Sequence, residues 1–167
     1  MTRKTLSFFL LGLVITVGLD QMIKYWVMNN MLLGTVIPIF PFLYLYHVRN
    51  FGIAFSFLSS FSHWGLIAAT SIIIVFLLWL WKNTEYEKSL SRFGLILIIG
   101  GAIGNLIDRI RFHYVIDYIL FHIDGLFSFA VFNLADTFIT LGTIAILVEE
   151  FRIWIKRKRS PNRISSE

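Results

Sequence analysis

Of the side chains able to do chemistry in this sequence, five aspartates come first: Asp20, Asp108, Asp117, Asp124 and Asp136. There is no cysteine, which removes thiol catalysis, disulfides and cysteine-based zinc sites. No G-x-S-x-G elbow and no H-E-x-x-H pair occurs. The four histidines, His47, His63, His113 and His122, lack metal-ligand spacing and read as interfacial residues. Asp20 has Lys24 four residues on, and Asp108 has Arg109 beside it, so a cation is expected to hold each of them ionised. Asp124 precedes Gly125 and reads as a turn residue. Asp117 and Asp136 have no basic residue within one helical turn in the sequence. Two such carboxylates brought together cannot both ionise; one is driven up and the pair shares a proton. In that state one carboxylate takes a proton from water while the other polarises a carbonyl. On the residues alone three readings stay open: a carboxylate-pair hydrolase, a proton-relaying transporter and a lipid-binding scaffold.

The elements that must position these groups are set by a bilayer. Of 167 residues, 57% are hydrophobic and 15% charged. A soluble domain carries about 25% charge. Four apolar stretches, about 6–27, 64–81, 93–109 and 134–155, approach the ~20 residues that a spanning helix needs. Arg3 and Lys4, then Lys82, Lys88 and Arg92, then Arg152, Lys156, Arg157, Lys158, Arg159 and Arg163 place eleven of the 15 basic residues on one side. By the positive-inside rule that side is the cytoplasm, and it holds both termini. Trp26, Trp64, Trp79, Trp81 and Trp154 fall near span ends, as interfacial aromatics do. The basic start and first apolar run lack a small-residue cleavage site and lead into Asp20, Gln21 and Lys24, so a retained helix is expected. The tail 156–167 reads as a solvated segment facing lipid headgroups, not as a nucleic-acid surface. One domain over 1–167 is expected.

Two segments, about 28–62 and 110–133, then lie outside. Val36-Ile37 and Phe42 to Val48 read as short extended pieces broken by Pro38 and Pro41. Asp124-Gly125 signals a hairpin between Ile119–Ile123 and Leu126–Phe132. Gly52 to Phe61 suits a short interfacial helix.

Charge at membrane depth costs roughly 2.5–3.5 kcal/mol per residue on insertion scales, and here polarity is gathered. Asp20, Lys24, Asn105, Asp108, Arg109, Asn133 and Asp136 all fall at the outer ends of spans one, three and four, with Asn50 and Asp117 just beyond. Each has a plain structural role available. Asp20 and Lys24 form an i, i+4 pair; Asp108 and Arg109 fix the third helix or snorkel; Gly100-x-x-x-Gly104 lets helices approach. Asn133 and Asp136, three apart, share a helix face and reach a neighbouring helix.

Five segments in order resemble one family. Asp20-Gln21-x-x-Lys24 is similar to D-Q-x-x-K, and Asn50-Phe51-Gly52-Ile53-Ala54-Phe55-Ser56 to N-x-G-x-A-F-S. Gly100-Gly101-Ala102-Ile103-Gly104-Asn105-Leu106-Ile107-Asp108-Arg109 is similar to G-G-x-x-G-N-L-x-D-R. Val115-Ile116-Asp117-Tyr118 is similar to V-V-D-F, and Phe132-Asn133-Leu134-Ala135-Asp136 to F-N-x-A-D. The chain therefore resembles the lipoprotein signal peptidases (signal peptidase II). That resemblance implies a mainly α, polytopic membrane protein: four transmembrane helices, a small extracytoplasmic β-cradle and a short interfacial helix. It implies an aspartic endopeptidase with Asp117 and Asp136 catalytic, and with Asp20, Lys24, Asn50, Gly52, Asn105, Asp108, Arg109, Asn133 and Ala135 binding substrate or bracing the site. No metal or organic cofactor is expected. The implied partners are membrane lipids and a prolipoprotein carrying a diacylglyceryl cysteine, cut just before that cysteine; a monomer is expected. An apolar clamp around Phe55, Phe57 and Leu58 would then close over the substrate. One position departs from the pattern: His113 stands where the family usually has glycine, so the turn before Asp117 calls for a conformation that histidine enters less easily. A carrier fits less well, since polarity gathers at one boundary without inverted repeats. The presenilin-like Y-D and G-x-G-D motifs are missing.

Overall fold

A computed structural model describes residues 3–52, 63–123 and 125–159. Four long helices carry a small antiparallel sheet at one end. In chain order they are α1 (Arg3–Asn30), β1 (Val36–Phe40), β2 (Leu43–Asn50), α2 (His63–Asn83), α3 (Ser89–Phe112), β3 (Val115–Ile123), β4 (Phe127–Ser128) and α4 (Leu134–Arg159). The expected interfacial helix, the Phe55, Phe57 and Leu58 clamp, and Asp124 lie outside the described residues.

Thr5–Asn30, His63–Asn83 and Ser89–Phe112 are long and apolar enough to cross a membrane. Leu6, Leu10, Val14, Ile72 and Val75 remain exposed on the first two of these helices, as lipid-facing positions would be. α4 is 26 residues long and more highly charged.

α3 is the central helix, because glycines open two of its faces. Gly100 sits against Thr16 and Gly104 against Asp20, both on α1. Gly94 sits against Gly142, and Gly101 against Ala135, both on α4; a Cβ at Gly94 would come within 2.5 Å of the Gly142 carbonyl oxygen. The G-x-x-x-G spacing thus serves α1, and a second glycine pair serves α4. Phe9, Trp81, Leu95, Ile96 and Ile99 form the core joining α1, α2 and α3 at one end. At the other end Val27 and Met31 of α1 pack on Ile116 and Tyr118 of β3. Trp81 departs from expectation: it is buried between Phe9 and Arg92, while Trp26, Trp64, Trp79 and Trp154 are exposed.

The sheet runs in the order β1-β2-β3-β4. Pro38 is accommodated because β1 is an edge strand, with a register irregularity beside it. Gly125 turns the chain at a φ of 70°, and β4 is brief. What matters for function is the return: Phe132 bridges to Ile119, and both Tyr118 and Ile119 donate to the Phe132 carbonyl. That bridge delivers the start of α4 to the middle of β3.

Candidate active site

Strand alternation aims Asp117. Ile116 and Tyr118 enter the cluster with Val27 and Met31, so Asp117 projects to the other face. There it is 1% exposed. Asn50 Nδ2 donates to its Oδ2 at 2.8 Å and Asn133 Nδ2 to its Oδ1 at 2.7 Å. Asn50 is held in turn, its Oδ1 accepting from the Gly52 N–H at 2.9 Å. Gly52 takes a φ of 114°, and a Cβ there would collide with Leu66; only glycine suits both demands.

Asp136 is positioned by helix capping. Asn133 precedes α4 and accepts at Oδ1 from the Asp136 N–H, 3.0 Å. Asp136 Oδ2 accepts from the Asn133 N–H, 3.1 Å. This is a reciprocal capping box. Asn105 Nδ2 donates to the remaining Asp136 oxygen at 2.9 Å. Two further first-turn amides of α4 find acceptors elsewhere. Leu134 N–H donates to the Tyr118 hydroxyl at 3.1 Å, and Ala135 N–H to Asp20 Oδ1 at 3.0 Å. Ala135 is fully buried and faces Gly104, leaving no room for a larger side chain. The positive end of the α4 dipole thus points into the site.

A second layer lies beneath. Lys24 Nζ meets Asp20 and Asp108 at 2.8 Å each and donates to Asn105 Oδ1 at 2.9 Å. All three ammonium donors are therefore used. Gln21 Nε2 donates to Asp108 Oδ1 at 2.9 Å and to the Gly104 carbonyl at 3.2 Å. The Ile116 N–H donates to Asp108 Oδ2 at 3.2 Å, tying the base of β3 to α3. Asp20, Lys24 and Asp108 are all at most 1% exposed, and this connected buried network fixes α1 against α3. Asn105, with Lys24 and Asn133 on its oxygen and Asp136 on its nitrogen, links this layer to the carboxylates above.

Asp108 is thus neutralised by Lys24, not by Arg109 as its sequence neighbour suggested. Among the described residues Arg109 makes no ion pair and its buried Nε has no hydrogen-bond acceptor. Its charge acts on Asp136, Asp117 and Asp108. Asp117 and Asp136 likewise form no ion pair among the described residues. Burial pushes the Asp117 carboxyl up to about 7; the Asp136 charge adds to this, and the Asn50 and Asn133 amides and the Lys24 charge oppose it.

All eleven residues that the sequence brought forward converge here. Gln21 and Tyr118 complete the set. Gln21 was legible as a primary amide beside Asp20 at the outer end of the first span; the Tyr118 role required knowing that β3 meets α4. His113 has a φ of 67°, the left-handed conformation expected where glycine is usual. It ends α3 and hydrogen-bonds His63, with Nδ1 2.7 Å from Nε2, so these two histidines are linked across helices.

The chain is similar to known proteins. The family model described as Signal peptidase (SPase) II matches residues 12–152. A lipoprotein signal peptidase of Bartonella quintana (strain Toulouse) is 77% identical over 99% of both chains. That of Brucella ovis is 47% identical over 96% of this chain and 99% of its own. A solved bacterial membrane enzyme superposes with a TM-score of 0.79 at 28% identity, covering 96% of this chain and 94% of its own. A second superposes with a TM-score of 0.76 at 31% identity, over 85% and 91%.

Proposed function

The chain belongs to the signal peptidase II family, and on that premise we propose that Asp117 and Asp136 are its catalytic pair. It is a peptidase of prolipoproteins and a multi-pass bacterial membrane protein. In the proposed reaction it removes the signal peptide from a diacylglyceryl-modified prolipoprotein, cutting just before the lipidated cysteine.

One observation carries the assignment: Asn133 holds both carboxyls, Asp117 through its side chain and Asp136 through its cap. Asp117, whose carboxyl burial pushes up to about 7, polarises the scissile carbonyl in its protonated form. Asp136 takes the proton from water as that water attacks, and the two exchange roles when the tetrahedral intermediate collapses. Asn50, Asn105 and Asn133 fix the carboxyl orientations without neutralising them. Arg109 supplies positive charge from one side, where the developing oxyanion gains from it. The Lys24 network holds α1, α3 and α4 in register beneath.

In this reading α4 is the fourth span; 26 residues at 1.5 Å each give about 39 Å, enough to cross. Both termini face the cytoplasm by the positive-inside rule, and the aspartates lie near the outer face. Acyl chains on the substrate cysteine stay in lipid, which holds the scissile bond at that depth. The chain works as one unit over 1–167.

The test is cleavage by purified protein in detergent of two substrates, one lipobox peptide with and one without the diacylglyceryl group. The expected result is a new N-terminus at the modified cysteine from the lipidated substrate alone. Equal cleavage of both would remove the lipid requirement, and no cleavage of the modified one would remove the activity.

A further inference from the structure

At the end of the bundle away from the aspartates, a buried cation stands without a carboxylate partner among the described residues. Arg92, in the first turns of α3, is 8% exposed. Its Nη1 donates to the Thr84 carbonyl at 2.7 Å and reaches that of Trp81 at 3.5 Å. Among the described residues its Nη2 has no acceptor, and neither has the buried Nε1 of Trp81. The guanidinium is gripped between aromatic rings, 4.3 Å from the Trp81 centroid and 4.8 Å from that of Tyr86.

Glu85 and Glu87 flank Tyr86 in the sequence, and neither forms an ion pair with Arg92 among the described residues. Glu149 Oε2 accepts from the Ser91 N–H at 2.6 Å, and Glu150 meets Lys88 Nζ at 2.8 Å. Arg92 makes no ion pair among the described residues. Interiors retain an unpaired charge poorly, and orphaned buried donors in a native protein call for an acceptor.

Arg92 and Trp81 both line one pocket, between the start of α1, the end of α2 and the start of α3. Thr5 and Ser89 form its wall nearest the helix ends, and Phe8 and Ile96 its apolar wall one to two turns deeper. This gradient, polar at the helix ends and apolar within, is that of a headgroup joined to acyl chains. Arg3 and Lys82 lie close in the sequence to the lining residues Thr5 and Trp81, and the α3 dipole adds positive charge.

We propose that this pocket binds a phosphate group, the phosphodiester of an anionic phospholipid, with the Arg92 guanidinium and the Trp81 indole turning their buried N–H groups to it on binding. The planar guanidinium suits phosphate. The bound lipid would clamp α1 to the α2–α3 junction at the end of the molecule remote from catalysis. Only the naming of its leaflet as cytoplasmic rests on the orientation proposed above.

The test is thermal unfolding of the detergent-purified full chain with graded phosphatidylglycerol, diacylglycerol of the same chains, or inorganic phosphate. Phosphatidylglycerol is expected to raise the midpoint saturably while diacylglycerol does not, as selective binding to the folded state requires. Arg92→Gln is expected to weaken the apparent affinity about tenfold, the loss of one charge-assisted contact. Trp81→Phe keeps the ring between Phe9 and Arg92, removes only the Nε1 donor, and is expected to weaken binding several-fold if Arg92→Gln does not fold. Each folded variant keeps its basal cleavage. Inorganic phosphate matching the phospholipid would assign the same donors to a free anion. A phosphatidylglycerol effect equal in parent and Trp81→Phe, or no effect in the parent, overturns the site.

Discussion

Asn133 and Asp136 close the first turn of α4 upon each other, backbone to side chain in both directions, at 3.0 and 3.1 Å. The same asparagine reaches Asp117 at 2.7 Å, so one residue sets both the helix start and the spacing of the two carboxyls. Asn133→Ala is expected to lose about 1 kcal/mol of stability as a cap and about a hundredfold in turnover through misplaced carboxyls. Asn133→Ser restores the cap but not the donor to Asp117. Its melting is expected to match the parent while its cleavage stays low. Parent-like cleavage by the serine variant would show that the Asp117 contact is dispensable.

Lys24 is the cation of the lower layer. Lys24→Met leaves Asp20 and Asp108 buried without it, and breaking such a pair from one side costs about 3–5 kcal/mol. The expected outcome is a large drop in melting temperature or loss of monodisperse protein. Replacing exposed Lys82 in the same way is expected to leave melting unchanged within error.

Proton sharing has a direction in pH. The Asp117 carboxyl is raised from 3.8 to about 7 in the folded protein. Between those values the folded state holds a proton that the unfolded chain releases. This group's contribution therefore becomes less favourable as pH rises through that window and is constant above it. Cleavage is expected to fall as pH rises through about 7, where the shared proton leaves the pair. Asp117→Asn removes the pH-dependent penalty, so its melting temperature relative to the parent is expected to be higher near pH 8 than near pH 5. An identical difference at both values would contradict the raised carboxyl.

His113 occupies a left-handed position at φ 67°. Histidine there carries about 1–2 kcal/mol of backbone strain, which glycine avoids. His113→Gly is expected to be about 1 kcal/mol more stable than His113→Ala, since both lose the His63 contact and differ only in the Cβ. Comparing the two variants by thermal unfolding isolates the backbone term. Both are expected to cleave, because His113 touches neither aspartate.

Much of the site was legible because polar residues in an apolar chain have few reasons to be there. Asp20, Lys24, Asn105, Asp108, Asn133 and Asp136 stood out by depth alone, and each now has a partner. Spacing along the chain was a poorer guide to pairing. Arg109 adjoins Asp108, yet a neighbour at i+1 on a helix faces a different direction, and Lys24 on another helix took the carboxylate. A position near a span end suggests an interfacial Trp81; its burial depends on Phe9 and Arg92, which no local pattern connects. The strands were visible around Pro38, Pro41 and Gly125. The Ile119–Phe132 bridge was not, though it is what brings Asn133 to Asp117.

The catalytic pairing itself is tested most directly by turnover of Asp117→Asn and Asp136→Asn on the diacylglyceryl-modified substrate, each variant first shown to be folded and monodisperse. Each is expected to lose about 10⁴-fold or more, as removal of a central member of a catalytic unit does. Turnover by either variant within about tenfold of the parent would contradict the account, since the remaining carboxyl would then be doing the chemistry alone.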